Sequence, residues 1–407
     1  LKSMIDEYAR LIVRVGVNIQ KGQTLVITSP IECVDFIRLV TKHAYNRGAK
    51  DVYVDWRDDK ITRMRYMNAP YEIFDVFPKW HADAFEDFAK GGGAFLSILA
   101  PNPGLLDGVD PERIELSHRV QSSGFKGFME YKLTSKVCWC VASVPTKAWA
   151  KKVFKDLPDD EALDMLWQAV LQTVRADTGD IMGAWREHLD NFKSRVEFLN
   201  SKRFKILHYT AKDTDLNIEL SHKHVWGGGG YYSQSGTYFV PNIPTEEIAT
   251  IPVKTGVNGK VKSTMPLNYG GALIENFSLT FKDGKVVNFS AEKGYDALKR
   301  IIELDEGSSY MGEVALVPCS SPISQLGITF YNTLFDENAS CHLALGAASP
   351  GCIQGGNDMG KEELRRLGVN ESGIHVDFMV GSKDLDIIGE TESGEQIQIF
   401  RAGEWAF

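Results

Sequence analysis

Apolar and polar positions along the first two hundred residues alternate between two periods. Ile5, Tyr8, Leu11, Ile12 and Val15 recur at helical spacing and predict a helix over residues 1–19. Residues 23–28 form a short apolar run with the texture of a strand. Ser29-Pro30 follows with the pattern of an N-cap and a first-turn proline, so a second helix is expected to about residue 46, with Gly48 ending it. Strands are expected at 51–55, 94–99 and 137–141, with a charged segment over 57–65 and a helix from about 71 to 88. Residues 147–200 read as largely helical. Leu163, Met165, Leu166, Val170 and Val174 form one buried side, and Trp185, Leu189, Phe192, Val196 and Leu199 the next. That helical stretch is expected to bridge two domains.

Beyond residue 203 the period shortens. Residues 215–220 alternate strictly, 227–230 read as a flexible glycine loop, and 237–240 as a strand. Asp283-Gly284 between two apolar runs is the strongest hairpin signal in the chain. One more helix is expected at 293–304. The fold class expected is an α/β N-terminal domain with a mostly parallel sheet (residues 1–200) and an α+β C-terminal domain rich in antiparallel strands (201–407).

Composition narrows the function. The 407 residues are 43% hydrophobic and 24% charged, as in an ordinary globular protein. A net charge of -9 argues against nucleic acid or an anionic membrane as partner. No apolar run reaches the roughly 20 residues of a membrane span, and the first residues lack a signal-peptide layout. Six scattered cysteines suggest a reduced, cytoplasmic setting. Cys138 and Cys140 are read as core residues, and Gly91-Gly92-Gly93 precedes its strand, where a phosphate loop would follow it.

The chemistry concentrates in the last third. His375 and Asp377 lie two apart among strand formers, so a strand aims both at one face and Val376, Phe378 and Val380 at the other. His342 follows an acidic turn, Glu313 sits in an apolar run, and Glu247 precedes a strand. Two imidazoles and several carboxylates in apolar settings are costly to bury without a cation, and they suit Zn²⁺, Co²⁺ or Mn²⁺. Carboxylates are numerous enough for two metals. Trp226, Tyr231 and Tyr232 are read first as core packing and second as a side-chain pocket.

Four ordered motifs then resemble one family. They are Asn-Ile-Pro-Thr-Glu-Glu at 242–247, Gly-Glu-Val-Ala-Leu-Val-Pro at 312–318, Asn-Thr-Leu-Phe-Asp-Glu-Asn-Ala-Ser-Cys-His-Leu-Ala-Leu-Gly at 332–346 and His-Val-Asp-Phe-Met-Val-Gly at 375–381. Together they resemble the thermophilic-type metalloaminopeptidases of peptidase family M29, over nearly the whole chain. The resemblance implies a two-metal centre, a homodimer, and hydrolysis of peptides with a free N-terminus. It implies Glu247, Glu313, His342, His375 and Asp377 as metal ligands, with Glu337 a sixth candidate, and Glu313 or Glu337 as proton shuttle. One position departs from the pattern: the family commonly has a tyrosine seven residues after the motif histidine, where Ser349 stands here. A serine cannot reach as far, which points to weaker turnover. Two other readings are a two-metal amidohydrolase acting on another amide and a member of the fold that has lost its chemistry.

Overall fold

Ala94–Leu99 is buried on both faces along most of its length, as a central strand of a covered parallel sheet must be. The computed structural model, which describes residues 1–269 and 272–407, places it there. The sheet runs Asn242–Ile243, Trp139–Ser143, Ala94–Leu99, Thr24–Pro30, Asp51–Arg57, and every neighbouring pair is parallel. The chain divides into two compact units. One comprises residues 1–187, 230–244 and 330–334; the other comprises 188–229, 245–329 and 335–407.

Local departures from the sequence reading have physical reasons. Ser29-Pro30 does not cap a helix. The strand continues through both residues, a 3₁₀ turn spans Ile31–Cys33, and the helix starts at Val34. The expected helix over 71–88 is split: Tyr71–Asp75 is a 3₁₀ turn, and the helix Lys79–Lys90 begins only after Pro78. The charged segment at 57–65 contains a helix, Asp59–Asn68. The Asp58 side chain accepts hydrogen bonds from the Lys60 and Ile61 backbone N–H groups and so supplies its N-cap. Met165 is exposed. Gly227–Gly228, expected in a flexible loop, pairs as a short strand with Ile248–Ala249.

The second unit contains an antiparallel sheet of eight strands and a smaller one of five. The hairpin Ser278–Lys282 to Lys285–Ser290 turns at Asp283-Gly284, both with positive φ, as a tight hairpin turn requires. Thr214–Leu220 alternates buried and exposed residue by residue. The two sheets share one apolar core. Leu207, Leu216, Ile218, Val257 and Leu279 come from the larger sheet; Ile248, Val314, Leu316, Leu343, Leu345, Val376 and Phe378 come from the smaller. The helix Tyr295–Ile302 adds Leu298, Ile301 and Ile302. Burying each such side chain contributes about 1.5–3 kcal/mol. This packing fixes one face of the five-stranded sheet inward and leaves its other face for polar groups.

Candidate metal centre

The five-stranded sheet runs His375–Met379, His342–Gly346, Met311–Leu316, Ile248–Thr250, Gly227–Gly228, antiparallel throughout. Its register explains the site. Glu313 pairs with Ala344, and Ala344 pairs with Asp377, so the two carboxylates flank an alanine in one row. His342 pairs with Ala315, which pairs with Ala249; His375 pairs with Gly346. Glu247 lies just before Ile248 and shares parity with Ala249. All these residues occupy one face because their neighbours at odd spacing fill the core.

Simple alternation does not put Glu313 there. Met311 has the same parity, yet it is buried in the core opposite Leu345. A bulge at Gly312 adds one residue and turns Glu313 to the polar face. A Cβ at Gly312 would lie 2.4 Å from the carbonyl oxygens of both Gly346 and Ala347. Gly346 is constrained in a second way: its φ is 106°, and a Cβ would meet the Ile374 carbonyl oxygen.

The side chains converge. His342 Nε2 is 3.3 Å from Glu247 Oε2 and 3.8 Å from Glu313 Oε1. His375 Nε2 is 3.2 Å from Glu313 Oε2 and 3.1 Å from Asp377 Oδ1. Glu247, Glu313 and His342 each offer a ligand atom within 4.8 Å of the others, and so do Glu313, His375 and Asp377. The two groups share Glu313, which turns one oxygen to each histidine.

Each histidine is held from behind. His342 Nδ1 is 3.1 Å from the Ser340 carbonyl oxygen, and His375 Nδ1 is 2.7 Å from that of Ala347. A carbonyl only accepts, so both Nδ1 atoms carry the proton and both Nε2 atoms face the carboxylates. The Glu246 backbone N–H donates to Asn338 Oδ1 at 2.7 Å, anchoring the chain beside Glu247.

The electrostatics without a cation are severe. Burial pushes the His342 ring toward the neutral form, but hydrogen bonds to Glu247 and Glu313 outweigh it and raise its pKa well above normal. Burial likewise opposes the charged form of His375, yet Asp377 and Glu313 lift it to about 11. Burial would raise Glu313, but the two histidines pull it down to about 2. Glu337 belongs to neither group of three. Burial, and then the charges of Glu247 and Asp377, push its carboxyl well above the usual range. Asp377 Oδ1 is buried and lacks a well-directed hydrogen bond, although His375 Nε2 lies 3.1 Å away. Two imidazole Nε2 atoms and three carboxylates converging in this way fit divalent cations, which would replace the ring protons and satisfy the Asp377 oxygen.

The remaining candidates lie elsewhere or at the rim. Ser349 is exposed, and its side chain hydrogen-bonds the thiol of Cys352. Burial, then Glu313 and Glu247, raise that thiol to about 12. Cys352 was not singled out in the sequence, and its spacing from the motifs carries no signal. Trp226 is buried in the core, whereas Tyr231 and Tyr232 are exposed on a short strand.

Comparison with known proteins agrees with this geometry. The profile of the family described as thermophilic metalloprotease (M29) matches residues 1–405. The chain belongs to the M29 family. Among its M29 relatives, aminopeptidase 2 of Geobacillus stearothermophilus is 51% identical over 403 residues, covering 99% of this chain and 98% of that one. Aminopeptidase AmpS of Bacillus subtilis is 48% identical with the same coverage. The structure of wild-type AmpT from Thermus thermophilus matches with a TM-score of 0.94 at 36% identity, covering 100% of both chains. The expected fold class, a parallel sheet followed by antiparallel sheets, stands as read. Among the described residues, no helix is long and apolar enough to cross a membrane.

Proposed function

We propose that this M29 chain is a metal-dependent aminopeptidase with a two-cation centre on the open face of its five-stranded sheet. Glu247, Glu313 and His342 hold one divalent cation; Glu313, His375 and Asp377 hold the other; Glu313 is shared. The observation that carries the reading is the pair of ligand groups, each within 4.8 Å, meeting at one carboxylate. Their mixture of nitrogen and oxygen donors suits Zn²⁺, Co²⁺ or Mn²⁺. Cations bound there supply Lewis acidity toward a carbonyl and a water of lowered pKa.

The chain's own groups do the rest. The Ser340 and Ala347 carbonyls keep both rings in the ligating tautomer. Glu337 stands beside the cluster without belonging to either group. Burial, and then the negative charge of Glu247 and Asp377, raise its carboxyl pKa, and cation charge would lower it again and favour the ionised form that can accept a proton. Such a carboxyl takes a proton from the attacking water and returns it to the leaving amine. The carboxylate-rich surroundings also favour a substrate carrying a free α-ammonium, and so cleavage at the N-terminal residue. A homodimer, resting on the family resemblance, and a cytoplasmic setting, resting on the few scattered cysteines, belong to the same proposal.

The test is a substrate panel. Free aminoacyl-anilides should be hydrolysed and N-acetylated ones ignored. Equal hydrolysis of both would sink the aminopeptidase reading and favour a broader amidohydrolase. Chelation should remove activity, and Zn²⁺, Co²⁺ or Mn²⁺ should restore it.

A further inference from the structure

The second unit contains a cavity of about 750 Å³ that none of the cluster residues lines. Segments distant in sequence build it, around residues 203–205, 219–224, 253–255, 310, 365–368 and 392. Leu220, Val253 and Leu367 give it apolar walls, and its size is that of a small-molecule site.

Its charged lining residues divide into paired and unpaired sets. Lys254 pairs with Glu306 at 3.3 Å, Arg365 with Glu362 at 3.1 Å, and Arg366 with Glu362 at 3.6 Å. Four other charged residues line the same cavity: Arg203, Lys205, Glu219 and Glu392. Among the described residues none of these four has an oppositely charged partner within 4.0 Å. Two cations and two carboxylates therefore share a cavity without closing on each other. His224 adds a directed polar atom. Its Nδ1–H donates to the Ser221 carbonyl at 2.8 Å, and its Nε2 makes no hydrogen bond to the described protein.

We propose that this cavity is a second binding site, separate from the metal cluster, for a zwitterion with an apolar side chain: a free amino acid or a short peptide. Arg203 and Lys205 flank Phe204 and take the carboxylate; Glu392, next to Thr391 that pairs with Phe204, takes the ammonium, with Glu219 on the strand at the opposite side; the side chain lies against the apolar walls. A ligand of both signs is favoured because a plain anion would leave the two carboxylates opposed to it.

The cavity also shares backbone with the cluster. Tyr310, in its lining, immediately precedes the strand Met311–Leu316 that carries Glu313. His224 bridges to Ile353, and the Val225 N–H donates to the Cys352 carbonyl at 2.8 Å, beside the thiol that Glu313 and Glu247 influence. Occupancy is thus placed to bear on the centre. That the ligand class is also what the reaction releases rests on the aminopeptidase reading; the binding itself does not.

The experiment is calorimetric titration of L-leucine into full-length protein carrying Glu313→Gln, which disables the cluster. Saturable binding is expected, weakened about tenfold by Lys205→Gln and by Glu392→Gln, the loss that fits one charged hydrogen bond. N-acetyl-leucine and leucinamide should each bind at least about tenfold more weakly, since each lacks one charge. No saturable binding overturns the proposal, as does binding that neither substitution changes. N-acetyl-leucine binding as well as leucine makes the cavity a plain carboxylate site and overturns it too. Lys205 and Glu392 are exposed, so both variants should fold. With Glu313 intact, Lys205→Gln should still hydrolyse aminoacyl-anilides, so failure here is distinguishable from failure of the peptidase reading.

Discussion

His375 donates its Nδ1–H to the Ala347 carbonyl at 2.7 Å, which commits Nε2 to Glu313 and Asp377. Replacing His375 or His342 by Ala removes a directed donor from one of the two ligand groups. Loss of an outer-shell partner alone typically costs about 10–100-fold, so loss of the ring itself should cost at least about 100-fold in kcat/KM. Metal content by mass spectrometry should fall in parallel while the circular dichroism spectrum is kept. Wild-type turnover with metal lost would remove these residues from the centre.

Cation binding should release protons. In the metal-free protein His375 is raised to about 11, chiefly against burial and by Asp377 and Glu313. A raised histidine stabilises the fold fully below its ordinary value of 6.5, and that contribution is lost as pH rises through about 11. Cation binding takes the same proton off, so affinity should climb with pH across the neutral range. Calorimetry in buffers of different ionisation heat would measure the protons released; a count of zero contradicts the pairing.

Asp305 holds the turn and loop that lead into the His375 strand. Burial pushes its carboxyl up, but the Gly373 N–H, the Ser372 hydroxyl and the Ser308 N–H outweigh it, so the net shift is downward. Its contribution is therefore present above about pH 4 and is lost as pH falls through the depressed value. Asp305→Ala should cost about 1 kcal/mol at neutral pH, allowing for solvent screening, and less in acid. Denaturant melts at two pH values check the sign.

Gly312→Ala tests the bulge. With carbonyl oxygens 2.4 Å from the added Cβ, the strands must part, at about 1–3 kcal/mol of stability. A displacement of Glu313 by about 1 Å would cost on the order of 100-fold in rate. A variant that is as stable and as active as the parent would show that the bulge does not aim Glu313.

Ser349→Tyr should raise turnover if a longer hydroxyl at this rim position assists the reaction. Steady-state kinetics decide it, since a gain in kcat with little change in KM is the expected pattern. No change would mean that Ser349 is not a limitation.

The sequence exposed the parts of this site that obey simple periods. His375 and Asp377, two apart and alternating with Val376 and Phe378, could be placed on one strand face by alternation alone, and the structure has them so. Glu313 could not, because an inserted residue at Gly312 breaks parity with Met311. Convergence of Glu247 with His342 depends on strand order, which no local pattern records. In the first unit, the helix Asp59–Asn68 was hidden by its charge, although Asp58 carried a cap signal. Ser29-Pro30 carried the same kind of signal falsely, since pairing with Trp56 and Arg57 extends the strand through both residues.

Gly346 has a consequence for anyone surveying variants of this protein. It binds nothing and carries no charge, yet it sits opposite His375, accepts from Asn370 at 2.7 Å and has no space for even a methyl group. A change there would lift one ring away from its companions, and an assay would score it as a lost ligand. A sensitive address in the centre thus belongs to a residue with no side-chain chemistry of its own.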